Sequence, residues 1–239
     1  MPDTTNNGLA HARRWETFAA KDACKYIKTD LANGDPAAFW RSGEQVVREE
    51  LLPVLEEFEV PRSACVEIGC GVGRLLLPMS RLVERAIGID ISQEMIRRGQ
   101  EFASQQRITN VQFVVADEPR QMQVALAEKT KQIDFIYSLL VFQHVPDFLT
   151  IESYVAAVGQ LLSPKGLAYL QFDTRPGTLA YRLKTALPDL VLPRFLRRGI
   201  RRIRRTSQEI EDAVARNGLS ILREKAPCSA HHCYMLRPS

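Results

Sequence analysis

No apolar run in the sequence approaches the ~20 residues that a membrane-spanning helix needs. The first residues, Met1 to Gly8, are polar and hold no apolar signal segment. A soluble cytoplasmic protein is therefore expected, with residues 1–10 disordered. The five cysteines (Cys24, Cys65, Cys70, Cys228, Cys233) are odd in number and never spaced as C-x-x-C. Free and mostly buried thiols fit that usage better than a disulfide framework. Internal repeats are missing, and so is a broad basic surface. Seven of the 32 lysines and arginines lie between Arg194 and Arg205, and the other 25 face 28 acidic residues. One basic element on a mildly acidic body argues against a nucleic-acid partner.

What is present is a chain of 239 residues, 45% hydrophobic, long enough to bury one sizeable α/β core. It is organised around Val66-Glu-Ile-Gly-Cys-Gly-Val-Gly-Arg74. An apolar run, Ala64 to Ile68, stops at glycines, and a helical pattern (Leu75, Leu76, Leu77, Met79, Leu82) follows, expected to reach about Val83. Strand, glycine turn and helix bring backbone close to a ligand at the carboxyl end of a strand. The acid Glu67 ahead of the glycines would repel a pyrophosphate and suits a ligand with a positive charge or hydroxyl donors.

Apolar and helical patterns then alternate along the chain. Strands are expected at Ala86–Ile89, Val111–Ala116, Ile133–Ser138 and Leu167–Phe172, with helices at Gln93–Gln105, about Met122–Leu126 and Phe148–Leu162. Ser92 suits an N-cap. Alternation of this kind means parallel pairing with right-handed crossovers. Ahead of the core, Gly43–Phe58 has helical spacing with Pro53 expected to kink it. Near the end, Thr206-Ser-Gln-Glu209 reads as a helix start and Asn217-Gly218 as its stop. Leu219–Arg223 and His231–Leu236 read as two final strands.

Five ordered segments resemble the class I S-adenosylmethionine (SAM)-dependent methyltransferases. Val66–Arg74 resembles their first motif. Gly88-Ile-Asp-Ile-Ser92 is similar to the ribose-binding acidic turn, and Val111–Asp117 to the strand beside adenine. Ile133–Ser138 with Val141-Phe-Gln-His-Val-Pro146 resembles the fourth strand and its loop, and Leu161–Leu170 the turn into the fifth strand. The match is good over about residues 45–174 and loose elsewhere.

The resemblance implies a seven-stranded, mostly parallel sheet with the last strand antiparallel and helices on both faces. It also implies an N-terminal helical lid, here residues 1–42, on a catalytic domain, 43–239, with a cap insertion at about 175–205. It implies S-adenosyl-L-methionine as cofactor and S-adenosyl-L-homocysteine (SAH) as product. Glu67, Gly69, Cys70, Gly71, Gly73, Asp90, Ile91, Asp117, Glu118, Ser138 and Leu139 would then hold the cofactor. Asp90 would accept the ribose hydroxyls, against the plainer reading of a strand-end acid capping the next helix. Asp117 would take the adenine amino group, against a surface acid in a turn. Arg13, Arg14 or Arg41 would pair with the cofactor carboxylate.

His144 is the general-base candidate, since imidazole titrates near neutrality; the plainer reading is a histidine that shapes its loop. Ser138 to Gln143 lacks the acid of the metal-dependent catechol-type enzymes, so no catalytic metal is expected. It also lacks the acid or Asn with Pro-Pro of the enzymes that methylate DNA bases. Cys228-Ser-Ala-His-His-Cys233 has metal-ligand composition, but on a strand His231 and His232 point to opposite faces. The resemblance thus implies direct transfer of a methyl group to oxygen, or less favourably nitrogen, of a small molecule. Its rivals are a binding protein acting through the arginine segment and a nicotinamide oxidoreductase, whose usual G-x-G-x-x-G this turn lacks. The arginine segment reads first as a solvated amphipathic helix closing the cap, then as a dock for an anionic partner or a membrane surface.

Overall fold

The computed structural model describes residues 13–21, 23, 27, 35–127, 133–179, 181, 183 and 202–239. The readings for residues 1–10, for the Asn33-Gly34 break and for Arg194–Arg201 lie outside them. Seven strands, β1 (Ala64–Ile68), β2 (Arg85–Asp90), β3 (Val111–Val115), β4 (Ile133–Ser138), β5 (Leu162–Phe172), β6 (Leu219–Lys225) and β7 (His232–Pro238), form one sheet in the order 3-2-1-4-5-7-6. The pairs β1–β2, β2–β3, β1–β4 and β4–β5 are parallel, and β7 runs antiparallel to both β5 and β6. Strand order reverses between β1 and β4, and that crevice is where an open parallel sheet receives ligands.

Period-two alternation divides the core. Val66, Ile68, Ile87 and Ile89 face α6 (Pro119–Ala127), α7 (Phe148–Leu161) and α8 (Ser207–Arg216). Cys65, Ala86, Phe135, Tyr137 and Tyr169 face the helices that precede β1 and α4 (Leu76–Met79). β1 is buried on both faces, as a central parallel strand must be. α5 (Gln93–Gln105) starts at Ser92, whose hydroxyl accepts from Met95 N at 3.2 Å. α8 starts at a full capping box between Thr206 and Glu209 and stops before Gly218 at φ 68°.

Two helical expectations are corrected. The helix after the glycines does not run unbroken to Val83. Residues 70–75 turn, α4 is four residues long, and a 3₁₀ turn (Ser80–Leu82) ends it. Three positive-φ glycines cannot open an α-helix, and Pro78 removes a donor from the one that follows.

The helix expected to begin at Gly43 starts at Pro36 as α2 (Pro36–Val46), capped by Asp35, so it runs through position 42. The irregularity precedes Pro53. A π-helical turn, Val47–Leu51, comes first, in which Leu52 N–H reaches Val47 C=O, and α3 (Leu52–Glu57) continues from it. The π turn shifts the hydrogen-bond register just before the residue with no N–H, and it places Glu50 in the wall of the crevice.

Candidate active site

Building from β1, the chain leaves Ile68 through Gly69, Gly71 and Gly73 at φ 74°, 53° and 88°. A Cβ on Gly69 would lie 2.3 Å from Val141 Cγ2, and one on Gly71 2.7 Å from Ile27 Cδ1. Any side chain there would fill the space between the strand ends and the covering segment. The backbone of this turn is already committed. Gly69 N–H and Cys70 N–H both donate to Ile89 C=O, at 2.7 and 2.9 Å, and Gly71 N–H donates to Asp90 Oδ2 at 2.8 Å. These three N–H groups are therefore not free to cradle a pyrophosphate, which counts against the nicotinamide rival.

Asp90 Oδ1 also accepts from Ser92 N–H at 2.9 Å. The carboxylate clamps the glycine turn to the start of α5, and Asp90 lines the cavity. Burial raises its pKa, and the backbone donors partly offset that.

The cavity beside this turn measures about 960 Å³, large enough for a nucleoside-sized cofactor with a second small molecule. Ten of the candidate residues line it: Glu67, Gly69, Cys70, Gly71, Asp90, Ile91, Asp117, Glu118, Leu139 and His144. Two do not. Ser138 is buried, and its hydroxyl donates to Ile68 C=O at 3.0 Å, tying β4 to β1. Gly73 turns to Phe113 and Leu77, 3.2 Å from where its Cβ would lie, so it serves packing behind the turn. Arg13, Arg14 and Arg41 are not among the lining residues either. Arg41 is exposed and paired with Asp35 at 3.2 Å.

Two other arginines line the cavity, and sequence reasoning passed over both. Arg74, the last residue of the glycine motif, is buried with its Nε unpaired. Among the described residues its Nη1 reaches only Ser42 Oγ, at 3.4 Å. It shares the cavity floor with Glu67, whose carboxyl accepts from Tyr137 OH at 3.2 Å. Burial pushes the Glu67 pKa up to about 8 even though the Arg74 charge pulls it down. Arg202 belongs to the arginine segment.

The described part of that segment, residues 202–205, is not helical and not a solvated face. Ile203 N–H donates to Gln143 C=O at 2.6 Å and Arg205 N–H to Asp173 C=O at 2.9 Å. Arg205 Nη2 donates to Val145 and Pro146 C=O, at 3.1 and 2.9 Å. The segment is a strap over the loop that carries His144. The Ile203 and Arg205 N–H groups and Arg205 Nη2 are spent on protein carbonyls, and Arg204 N–H donates to Tyr181 OH at 2.9 Å, which overturns the amphipathic-helix reading for these residues.

The loop after β4 holds Leu140 at φ 63°, a strained conformation for a branched side chain. A 3₁₀ turn, Phe142–His144, follows. The His144 ring meets Trp15 edge-on at 5.7 Å. Trp15, Phe18 and Ile27 line the cavity. The latch went unseen in the sequence. Glu16 accepts from Ser92 Oγ at 2.6 Å and Glu94 N–H at 3.1 Å, fastening the helical residues 13–21 to the start of α5.

On the β7 side the two histidines do face opposite ways. His231 lines the cavity. His232 is buried between Thr174 Oγ1 at 2.9 Å and Glu224 Oε2 at 2.8 Å. Among the described residues no cluster of His, Cys, Asp and Glu is arranged to hold a metal ion, and no helix is long and apolar enough to cross a membrane.

Comparison with known proteins agrees with this geometry. The family described as "Methyltransferase domain" matches residues 39–224. Ubiquinone biosynthesis O-methyltransferases from Brucella anthropi and Bartonella quintana are similar at 31% and 27% identity, over 66% of this chain and 60% and 61% of their own. The chain thus spans about three fifths of the length of these curated relatives. Among solved structures, the magnesium protoporphyrin IX methyltransferase of Synechocystis with bound SAH superposes with a TM-score of 0.66 at 18% identity, over 96% of this chain and all of that one. A DhpI–SAM–HEP complex gives 0.60 at 22%, over 98% of this chain and 100% of that one. These two likenesses establish the fold.

Proposed function

Because the chain belongs to the methyltransferase-domain family and carries its sheet with a cavity at the switch point, we propose that it is an S-adenosylmethionine-dependent methyltransferase acting on oxygen of a small-molecule acceptor. The observation that carries the reading is the acidic, glycine-bounded end of the cavity. Asp90 there is an acceptor-only carboxylate lining the cavity, and Gly69 and Gly71 leave room that a Cβ would fill. A nucleoside with vicinal hydroxyls and a cationic tail fits that donor-seeking set. A pyrophosphate does not.

In this reading Asp90 holds the ribose, Asp117 and Glu118 flank the base, and Glu67 and Arg74 face the charged tail. The cofactor supplies an electrophilic methyl on a sulfonium. The protein's share is placement: the loop from Leu139 to His144 orients the acceptor oxygen, and the lid residues Trp15 and Phe18 exclude water. His144 lines the cavity on that loop, where it takes the acceptor proton or hydrogen-bonds the acceptor in place. The named activity of the Brucella and Bartonella relatives supports oxygen over nitrogen.

Calorimetric titration with SAH and with NAD tests the assignment. The expected result is SAH binding, no NAD binding, and a loss of at least about tenfold in SAH affinity in Asp90→Asn, the scale of one charge-assisted hydrogen bond. NAD binding, or SAH affinity untouched by the substitution, would overturn it.

A further inference from the structure

The sheet order divides the cavity. The ends of β1, β2 and β3 bound the half assigned to the cofactor. The ends of β4 and β5 and the start of β7 bound the other half, walled by Leu139, Leu140, Gln171, His231, Arg202 and Glu50. Resting on the methyltransferase reading, we propose that Arg202 and His231 form an anion-recognising pole of this second half, and that the acceptor carries a carboxylate held there.

The donor chemistry is fixed by one glutamine. Gln171 Oε1 accepts from Leu140 N–H at 3.2 Å, so its amide nitrogen is the end that meets His231 Nδ1, at 2.8 Å. That nitrogen also donates to Ala230 C=O at 3.3 Å. His231 Nδ1 is therefore an acceptor, and in the neutral ring Nε2 carries the proton and is the remaining donor. The ring stays neutral at neutral pH, because burial first, and then the Arg202 charge, lower its pKa. Asp173 and Glu50 act the other way, and Arg175 acts with Arg202.

Arg202 makes no ion pair among the described residues, and its backbone neighbour Ile203 is anchored to Gln143 C=O. Arg202 is half-buried and lines the cavity from this anchored backbone. The acids nearby are already engaged. Glu50 takes Lys225 Nζ at 3.2 Å, and Asp173 takes Arg175 Nη2 at 2.6 Å. One guanidinium and one neutral N–H match the two oxygens and single charge of a carboxylate; a phosphate dianion would need more. Through Gln171 the pole is one side chain from the strained loop at Leu140, so an acceptor anchored by its carboxylate would lie against the loop where transfer is proposed.

The probe is benzoate, with benzamide as its uncharged isostere, titrated by calorimetry into the protein with and without saturating SAH. Far-UV circular dichroism confirms that each variant folds. Benzoate should bind the wild type and lose about tenfold or more in Arg202→Gln, with part of the loss restored in Arg202→Lys. His231→Phe should cost less. Benzamide should bind more weakly and ignore the Arg202 substitution.

SAH affinity should be unchanged in Arg202→Gln. If it falls instead, Arg202 serves the cofactor's own carboxylate and the proposal is overturned. The proposal also fails if benzoate does not bind the wild type, or binds the variant equally well. Failure of the wild type to bind SAH defeats the methyltransferase assignment separately, since the benzoate series is read without it as well.

Discussion

Glu67 is a carboxyl whose surroundings oppose its charge. Its pKa rises from 4.5 to about 8, chiefly through burial, so between those values the folded chain holds a proton that the unfolded chain releases. Stability must then fall as pH rises across that window, by at most about 1.4 kcal/mol per unit from this group. Thermal melts from pH 5 to 8 should show the decline, and Glu67→Gln should flatten it; an unchanged slope in the variant would remove Glu67 as its source. A bound cation reverses the balance by favouring the carboxylate. At pH 7, SAM binding should therefore release up to about one proton, measured as a dependence of calorimetric heat on buffer ionisation enthalpy, and Glu67→Gln should release none. At this scale the sequence was informative where a residue's neighbours are set by chain order. Glu67, the glycines and Asp90 sit at or just beyond the ends of β1 and β2, and chain order alone puts them at the carboxyl edge of the sheet. Ser138 did not follow that rule, because its facing is a matter of pleat. Arg74 and Arg202 were read as part of a motif and part of a charge run, and only three-dimensional packing shows that both line one cavity.

Hydrogen bonds fasten the cavity's walls on two sides. Glu16 gives the helical residues 13–21 two acceptor contacts with the start of α5, next to the Asp90 clamp. Removing them in Glu16→Ala should cost about 1 kcal/mol locally, the scale of a lost cap. Amide exchange should quicken across residues 13–21 while β1 and β4 stay protected, and SAH should dissociate several-fold faster. Equal exchange in lid and strands would mean that the latch supports the whole fold instead. The strap works on the other side. Arg205→Met strips the donor from two carbonyls of the His144 loop and should destabilise the protein by about 1.5–3 kcal/mol in denaturant titration; a loss under 0.5 kcal/mol would show that water replaces it. Neither device was visible beforehand. Helix caps, strand ends and the Asn217-Gly218 stop obey local rules. A glutamate capping a helix 76 positions away in sequence, or an arginine spent on carbonyls 59 and 60 positions away, obeys none.

Across the whole molecule, the cavity draws its walls from every part of the chain: Trp15 and Phe18 from the start, Glu67 to Asp90 and Leu139 to His144 from the middle, Arg202, His231 and Cys233 from the end. The alternation of apolar strands and helices made this fold legible, since parallel pairing and right-handed crossovers leave few arrangements. It could not show that residues 15–18 and residues 202–233 meet at one crevice. That convergence has a thermodynamic consequence. A ligand that touches one segment alone stabilises a local unit. A ligand in this cavity touches the lid, both sides of the sheet's reversal and the β7 turn, so its binding energy should appear in one cooperative transition. At a concentration one hundred times its dissociation constant, SAH should add about 2.7 kcal/mol. At roughly 2–4 °C per kcal/mol for a chain of this size, that is an upward Tm shift of about 5–10 °C. Tryptophan fluorescence, reporting Trp15 and Trp40 near the lid, and far-UV circular dichroism, reporting the sheet, should shift together and remain superimposable. A shift in fluorescence alone would show that the lid folds independently of the sheet, and that the cavity is assembled from two units rather than one.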